Sequence, residues 1–216
     1  MRGKLHLFDV DHTITRGSTG RRFAEAAARR GLITLWQLAR IPLNYAAYRL
    51  GGGGISFFEN DFPVIKGVDK VLLEEIGREV FERKIIKALR PELLEIIASL
   101  KAEGGAIVLA TSSLDFMVRP LADHIGAEAV LASSLEYEDE RCTGRLAGQV
   151  LFGAVKRDAA LAYARSRGIE LADCSFYSDS IHDLPLLLEV GRPIAVYPDR
   201  RLLKEALVRG WEILRG

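Results

Sequence analysis

The chain has 216 residues, which is enough for one medium-sized domain or for a core with a smaller appendage. Its 30 lysines and arginines nearly balance 29 aspartates and glutamates, so the overall charge gives no sign of nucleic-acid binding, which uses a strong basic excess. Two cysteines, Cys142 and Cys174, lack C-x-x-C spacing and argue against a disulfide framework or a structural zinc site.

The N-terminal region predicts a buried strand followed by a long helical segment. The apolar run 5–10 follows Met1 almost directly, which leaves no room for a signal-peptide core, so we expect a cytoplasmic protein. Residues from about 15 to 88 have a helical pattern, which Pro42 and the glycines 51–54 interrupt because four consecutive glycines do not hold a helix cheaply. A helical insertion is therefore expected after the first strand.

The longest apolar stretch, residues 32–50, contains several polar residues and Pro42. It falls short of the roughly 20 uninterrupted apolar residues that a membrane span needs. We interpret it as a segment buried in the helical region. A helix lying on a lipid surface is the alternative, so membrane contact is not the favoured interpretation.

The remainder of the chain alternates between helical and strand patterns. In order, it predicts a helix from Pro91 to about Gly104, a strand 107–110, a helix from about Ser113, a strand 129–131, a hairpin 133–146, a helix 156–167, a strand 174–178, a helix ending near Gly191, a strand 194–196 and a last helix before Trp211. Such alternation implies an α/β fold with a parallel sheet and helices on both faces.

Two aspartates, Asp9 and Asp11, stand at the end of the first strand in the run Asp-Val-Asp-His-Thr. Residues two apart in extended backbone point to the same side, so both carboxylates are expected to face the same space. Open α/β sheets bind ligands outside the carboxyl ends of their strands. Because close carboxylates repel each other, the pair needs a cation or a shared proton, although a solvated turn is the alternative interpretation.

A second cluster, Thr111, Ser112 and Ser113, follows the strand 107–110. Hydroxyl groups and free N–H groups at a helix N-terminus form a natural phosphate site, although such residues often serve only as helix caps. Lys156, near the start of a later helix, is a candidate cation for the same site. Its alternative interpretation is a surface lysine.

A third cluster contains Asp179 and Asp183, which follow the strand 174–178. One helical turn could set the two carboxylates on one side, and an acidic helix cap is the alternative. The four aspartates of these clusters supply −4 when ionised. A bound Mg²⁺ with Lys156 returns +3, and protonation of Asp11 returns one more. The sequence therefore predicts a magnesium-dependent site for phosphoryl transfer.

These residues occur in the order and context of the four motifs of the haloacid dehalogenase-like phosphatases, which the chain resembles. The motifs are Asp9 to Thr13, Thr111, Lys156 and Asp179 to Asp183. The segment from about 106 to 197 is most similar to the phosphoserine phosphatase branch. The resemblance implies a magnesium-dependent phosphomonoester phosphatase acting on a small-molecule substrate.

For the fold, the resemblance implies a Rossmann-like, doubly wound parallel-sheet core with a helical cap inserted after the first strand. Residues 1–14 and 89–216 would form the core, and residues 15–88 would form the cap. No local spacing in the sequence predicts the oligomeric state.

For the chemistry, the resemblance implies that Asp9 is the nucleophile and carries an aspartyl-phosphate intermediate. Asp11 would protonate the leaving alcohol and then activate water. The remaining roles fall on a few side chains. Mg²⁺ would lie on Asp9, the backbone carbonyl of Asp11 and Asp179, the phosphate on Thr111, Ser112 and Lys156, and Asp183 would orient a metal-bound water or Lys156.

The chain departs from the phosphoserine phosphatase pattern at three places. It has Thr-Ser-Ser where that branch has Ser-Gly-Gly, and Ser-Asp-Ser where that branch has Gly-Asp-Gly. The basic stretch 16–22 stands where those enzymes have an acidic residue for the substrate amine, and it suits an anionic substrate better.

Three alternatives remain open. The apolar stretch 35–50 is compatible with a lipid phosphate substrate such as phosphatidylglycerophosphate. A phosphotransferase differs only in its acceptor. A non-catalytic phospho-acceptor module uses similar groups, but Asp11 and the long insertion argue against it.

Overall fold

The computed structural model describes residues 5–34 and 63–215, and eight strands lie within these ranges. The strands are β1 (Leu5–Phe8), β2 (Ala106–Leu114), β3 (Ala129–Ser133), β4 (Leu135–Glu138), β5 (Arg141–Leu146), β6 (Ser175–Ser178), β7 (Arg192–Val196) and β8 (Glu212–Leu214).

Seven α-helices lie in the same described ranges and are numbered among themselves. They are α1 (Thr19–Arg29), α2 (Lys70–Val80), α3 (Pro91–Ala102), α4 (Asp115–Ile125), α5 (Ala154–Ser166), α6 (Leu184–Leu187) and α7 (Arg200–Arg209).

Six strands form one parallel sheet in the order β3-β2-β1-β6-β7-β8. β1 lies near the middle and pairs with β2 on one side and β6 on the other. Parallel strands joined by helical connections place all their carboxyl ends at one edge of the sheet. The predicted α/β fold with a parallel sheet is confirmed.

Side chains of the central strands are buried on both faces of the sheet, as parallel sheets require. Leu7, Val108 and Phe176 belong to the hydrophobic cluster of one face. Phe8 and Tyr177 belong to the cluster of the other face, where their rings stack with centroids 4.2 Å apart.

Helices cover both faces. Buried residues of α1, α2, α3 and α4 belong to the cluster that contains Phe8, and those of α5, α6 and α7 belong to the cluster that contains Leu7. The prediction of a doubly wound sheet is therefore confirmed.

Some predicted boundaries differ from the structure. β2 continues to Leu114, which pairs with Ser133 after an irregularity in the register, so the next helix begins at Asp115 and not at Ser113. The helix expected to end near Gly191 contains only Leu184–Leu187. β8 was not predicted, because three residues are too short to show a period.

The two ends of segment 15–88 lie side by side at the core. Thr15 forms an isolated antiparallel bridge with Leu89. The amide of Arg16 donates to the carbonyl of Ala88 at 2.7 Å, and the amide of Arg90 donates to the carbonyl of Ile14 at 2.9 Å. Such an arrangement is what an insertion after the first strand requires, and the domain boundaries themselves stay a prediction.

Several sequence interpretations fall on residues 35–62, outside the described part of the chain. They concern Pro42, the glycines 51–54 and most of the apolar stretch 32–50. Among the helices of residues 5–34 and 63–215, none combines the length and apolar character needed to cross a membrane.

The hairpin of β4 and β5 contacts the segment that leads into α2. The amide of Gly67 donates to the carbonyl of Cys142 at 2.7 Å, and the amide of Cys142 donates to the carbonyl of Val68 at 2.9 Å. The amide of Lys70 donates to the carbonyl of Glu140 at 2.8 Å. These backbone hydrogen bonds tie the helical insertion to the core at a second place, far from its two ends.

Gly77 allows α2 to approach the first turn of α4. A Cβ atom at this position would lie 2.7 Å from the backbone carbonyl oxygen of Phe116, which is closer than real Cβ contacts. We expect Gly77→Ala to lower the free energy of unfolding by about 1–3 kcal/mol, the usual cost of overpacking. Urea denaturation measures this loss.

Gly20→Ala in α1 is the matched control, because its Cβ would meet only the Ser18 hydroxyl oxygen at 3.7 Å. Alanine has the higher helix propensity, so this variant should be as stable as the wild type or up to about 1 kcal/mol more stable. A Gly77→Ala protein as stable as Gly20→Ala would contradict the close approach of the two helices.

Candidate active site

Polar side chains follow three neighbouring strands at the carboxyl edge of the sheet. Asp9 follows β1, Thr111 lies near the end of β2, and Asp179 follows β6. Lys156, in the first turn of α5, completes the group. Because these strands are adjacent and parallel, residues more than 100 positions apart converge on one edge.

A tight turn over Val10–Ile14 begins directly after Asp9 and contains Asp11. Asp9 is extended, and its amide donates to the carbonyl of Tyr177 at 2.9 Å. His12 then adopts a left-handed conformation with φ 62°, which reverses the chain. The strand alternation assumed from the sequence stops at Asp9, so the two carboxylates take different partners.

Lys156 joins two buried aspartates. Its Nζ lies 3.0 Å from Oδ1 of Asp9 and 2.7 Å from Oδ1 of Asp183. The side chains of Lys156 and Asp183 are each 3% exposed and that of Asp9 is 9% exposed, so water screens these contacts very little. Ser178 donates its hydroxyl to Oδ2 of Asp183 at 2.7 Å. The lysine is held in place from both sides.

Thr13 connects Asp9 to Asp179. Its fully buried hydroxyl oxygen accepts from the amide of Asp179 at 3.1 Å. The same hydroxyl group lies 3.2 Å from Oδ2 of Asp9 and 3.4 Å from Oδ1 of Asp179, and its single proton serves one of these oxygens at a time. The two carboxylates therefore face the same small space.

Asp11 has a separate set of partners. Its Oδ1 accepts from the amide of Thr19 at 2.8 Å, and its Oδ2 accepts from the hydroxyl of Ser113 at 2.9 Å. These groups belong to the start of α1 and the end of β2. The Asp11 carboxyl group is therefore held by the helical insertion and the core together.

Thr111 makes a hydrogen bond within its own segment, and Ser112 makes one to the neighbouring strand β3. The buried Thr111 hydroxyl accepts from the amide of Ser113 at 3.2 Å. Ser112 is exposed, and its carbonyl accepts from the Ser133 hydroxyl at 3.1 Å. The structure thus brings Asp9, Lys156 and Asp183 into direct contact, and no contact described here tests the predicted phosphate-binding role of these two hydroxyl groups.

Burial controls the electrostatics of the site. Burial raises the pKa of Asp9 to about 7, against the opposing effect of the Lys156 ammonium, and the nearby Asp183 carboxylate raises it further. For Lys156, burial favours the neutral form, but the Asp183 and Asp9 carboxylates outweigh it and raise the pKa above its usual value. The lysine therefore stays charged while Asp9 is costly to ionise.

The donor set fits a divalent cation. Asp9, Asp179 and Asp183 are buried carboxylates, and Lys156 is the buried cation among the described residues. In residues 5–34 and 63–215, no three His, Cys, Asp or Glu side chains are grouped as a complete metal site. Mg²⁺ commonly uses only one or two protein carboxylates, with water and substrate phosphate as further ligands.

Four hydroxyl-bearing residues hold this site together through contacts that the sequence did not predict. They are Thr13, Thr19, Ser113 and Ser178. Thr13, Ser113 and Ser178 stand in or beside the motifs, within two positions of a recognised residue, and that proximity is the signal that the sequence offers. Thr19 lies eight residues from Asp11, and no periodicity links the two.

Two arginines of the basic stretch 16–22, Arg21 and Arg22, have hydrogen-bond partners outside the acidic cluster. Arg22 donates to the carbonyl oxygens of Arg16 and Ser18, and thereby braces the loop before α1. Arg21 pairs with Glu25 on the exposed side of α1. Arg16 is exposed, and of these three arginines it is the one that remains a candidate contact for an anionic substrate.

The position of Asp9 predicts that stability depends on pH when no metal is bound. Its pKa rises from 3.8 to about 7 on folding, so the folded state holds a proton that the unfolded chain releases. This stabilisation is complete below the unfolded pKa and is lost as the pH rises through about 7. Asp9→Asn removes the titrating group.

We expect the free energy of unfolding of the wild type, relative to Asp9→Asn, to fall by on the order of 2 kcal/mol from about pH 5 to about pH 8. Urea denaturation in a chelating buffer measures both proteins. The same pH dependence in both would contradict the raised pKa.

Comparison with known proteins agrees with the fold and identifies the family. The family profile of haloacid dehalogenase-like hydrolases matches residues 6–188. The chain is 31% identical to phosphoserine phosphatase SerB1 of Mycobacterium tuberculosis, over 96% of this chain and 69% of that protein. It is 28% identical to a histidinol-phosphatase of Neisseria meningitidis, over 97% of both chains.

Among solved structures, a Bordetella pertussis protein of unknown function superposes with a TM-score of 0.88 and 28% identity, covering 100% of this chain and 99% of that one. The profile spans most of the chain and includes the elements that carry Asp9, Lys156 and Asp183. This chain therefore belongs to the haloacid dehalogenase-like hydrolases, in the phosphoserine phosphatase-like branch of their phosphoric monoester hydrolases.

Proposed function

We propose that the chain hydrolyses a small phosphate monoester in two steps, through a phosphoryl group carried by Asp9. The observation that supports it best is the buried contact of Asp9 with Lys156, beside a second carboxyl group, that of Asp11, which other residues hold in place. A nucleophile with a cation at its side and an acid nearby is the set of groups that phosphoryl transfer to a side chain requires.

In the first step, a carboxylate oxygen of Asp9 attacks phosphorus, and the bond from phosphorus to the alcohol oxygen breaks. Asp11 donates a proton to that oxygen, so the product leaves as a neutral alcohol. In the second step, the Asp11 carboxylate takes a proton from water, and the water oxygen attacks phosphorus. Inorganic phosphate leaves, and Asp9 and the Asp11 proton are restored.

Lys156 is proposed to hold a phosphoryl oxygen during both steps. Its Nζ already lies 3.0 Å from Asp9 and needs only to exchange one carboxylate oxygen for a phosphoryl oxygen. Asp183 keeps it charged and fixes its position. Thr111 and Ser112 are proposed to supply further donors, the hydroxyl of the first and the amide of the second.

Mg²⁺ is the cofactor that this donor set favours. Asp9, Asp179 and the backbone carbonyl of Asp11 would hold it, with Asp183 supporting the site from behind Lys156. When bound, it supplies positive charge that neutralises the carboxylates and the phosphate. Burial makes the ionised form of Asp9 costly in its absence, which explains why this chain's residues need it.

The leaving alcohol remains the open part of the proposal. The matched relatives are named for phosphoserine and for histidinol phosphate, and both compounds belong in a substrate panel. The helical segment 15–88, proposed as the cap, would cover the site and select the alcohol. Phosphatidylglycerophosphate belongs in the panel as well, because the apolar stretch 35–50 is compatible with a lipid substrate. This stretch lies outside the described residues.

Phosphate release from this panel tests the reaction directly. We expect release in Mg²⁺ that falls by at least about 10³-fold in Asp9→Asn, because the amide is no longer a nucleophile. Asp158→Asn is the matched control, since this exposed aspartate on α5 pairs only with the neighbouring Arg157 among the contacts described. It should retain wild-type turnover.

Full activity in Asp9→Asn would overturn the proposed nucleophile. Cleavage of the ester without an equal amount of free phosphate would indicate transfer to another alcohol, and would replace the hydrolase by a phosphotransferase.

Magnesium should also stabilise the fold. We expect saturating Mg²⁺ to raise the melting temperature of the wild type by several degrees, because it relieves repulsion among buried carboxylates and binds only the folded state. Asp179→Asn should lose most of this increase, whereas Asp158→Asn should keep it. A melting curve that Mg²⁺ leaves unchanged would contradict the proposed metal site.

A further inference from the structure

Asp11 lies in a clamp formed by two residues that come from different parts of the chain. Ser113 at the end of β2 places its hydroxyl oxygen 2.9 Å from Oδ2 of Asp11. The same oxygen lies 2.9 Å from the hydroxyl oxygen of Thr19, the first residue of α1. The amide of Thr19 donates to Oδ1 of Asp11 at 2.8 Å, so both carboxyl oxygens are engaged.

The proton inventory fixes the direction of these hydrogen bonds while Asp11 is ionised. A serine hydroxyl has one proton, which Ser113 donates to Asp11. The proton of the hydrogen bond between Thr19 and Ser113 must therefore come from the Thr19 hydroxyl. Thr19 O–H then donates to Ser113, and Ser113 O–H donates to Asp11. Such aligned chains strengthen each bond. A carboxylate has about four lone-pair positions, so two remain for the proton that moves in the reaction.

The start of α1 adds a second reason for this arrangement. The first amides of a helix have no partner within the helix, and the Asp11 carboxylate satisfies that of Thr19. The positive end of the helix dipole favours the negative charge as well. Thr19 is 1% exposed, so water does not compete for these contacts.

Ser113 is a departure from the motif of this branch. The Ser-Gly-Gly pattern of the phosphoserine phosphatases has glycine where this chain has Ser113, and glycine has no hydroxyl to offer Asp11. The Ser113 hydroxyl that contacts Asp11 is therefore a group that the Ser-Gly-Gly motif does not supply.

We propose that Ser113 is a positioning residue, which with Thr19 holds the Asp11 carboxyl group in the orientation for proton transfer to the leaving oxygen. The proposal rests on the acid role of Asp11 given above. Proton transfer depends steeply on the alignment of donor and acceptor, so a carboxyl group free to rotate delivers its proton less often. Attack by Asp9 does not use this clamp.

A pair of aryl phosphates separates these effects. The para-nitrophenolate leaving group is stable without a proton, whereas phenolate is a poor leaving group and needs one. kcat/KM reports the steps up to the departure of the alcohol, so it is the quantity to compare. We expect Ser113→Ala to lower kcat/KM for phenyl phosphate by about tenfold, part of the 10²–10⁴ that acid catalysis contributes, and that for para-nitrophenyl phosphate by less than about threefold.

Two further variants complete the experiment. Ser113→Thr keeps the hydroxyl group and should restore most of the activity on phenyl phosphate. Ser99→Ala is the control, because Ser99 lies on α3 and its hydroxyl contacts only Glu103 among the described residues. It should match the wild type on both esters, and melting curves of all three variants show whether each is folded.

Equal losses on the two esters, or no loss on either, would overturn the positioning role of Ser113. Failure of Ser113→Thr to restore activity in a folded protein would also overturn it. If Ser113→Ala does not fold, Thr19→Ser and Thr19→Ala provide the same comparison, since the first keeps the hydroxyl group and the second removes it. Loss of the requirement for Asp9 would instead contradict the proposed function, so the two failures are distinguishable.

Discussion

The contact of Lys156 with Asp9 and Asp183 is the interaction on which the remainder of the site depends. A buried ammonium group is stable only when carboxylates surround it, and removal of one partner leaves an uncompensated buried charge at a cost of several kcal/mol. The fold meets this requirement with an edge where β1, β6 and α5 converge. The parallel sheet therefore has an electrostatic role as well as a structural one.

The same cluster contains more negative charge than its lysine can balance. Asp9 and Asp179 share the Thr13 hydroxyl, and Asp183 already occupies Lys156. Burial raises the pKa of Asp9 and the neighbouring Asp183 carboxylate adds to this effect, so ionisation of Asp9 at high pH lowers the stability of the fold when no metal is bound. Excess negative charge would favour the divalent cation proposed above, which would in turn offset the charge of a phosphate. The buried carboxylates that the proposed chemistry needs therefore lower the stability of the fold.

The helical insertion reaches the site through α1. The chain leaves the core at Thr15 and returns at Leu89, where the two segments pair, and the first amide of α1 contacts Asp11. Hydrogen bonds to the β4–β5 hairpin hold the same insertion at a distant point. A residue at the start of α1 therefore contacts the proposed acid directly, so the segment between Thr15 and Leu89 is physically connected to the Asp11 carboxyl group.

The sequence by itself determined the fold class, the alternation of strands and helices, and the short polar segments that follow three strands. These features have local signals: apolar runs, helical periods and capping residues such as Pro91. The tertiary structure alone decided that Asp11 is held by Thr19 and Ser113, that Arg22 braces a loop, and that Ser113 meets Thr19. The physical reason is separation along the chain: Lys156 lies 147 residues from Asp9 and Ser113 lies 94 from Thr19, and no local period encodes such contacts.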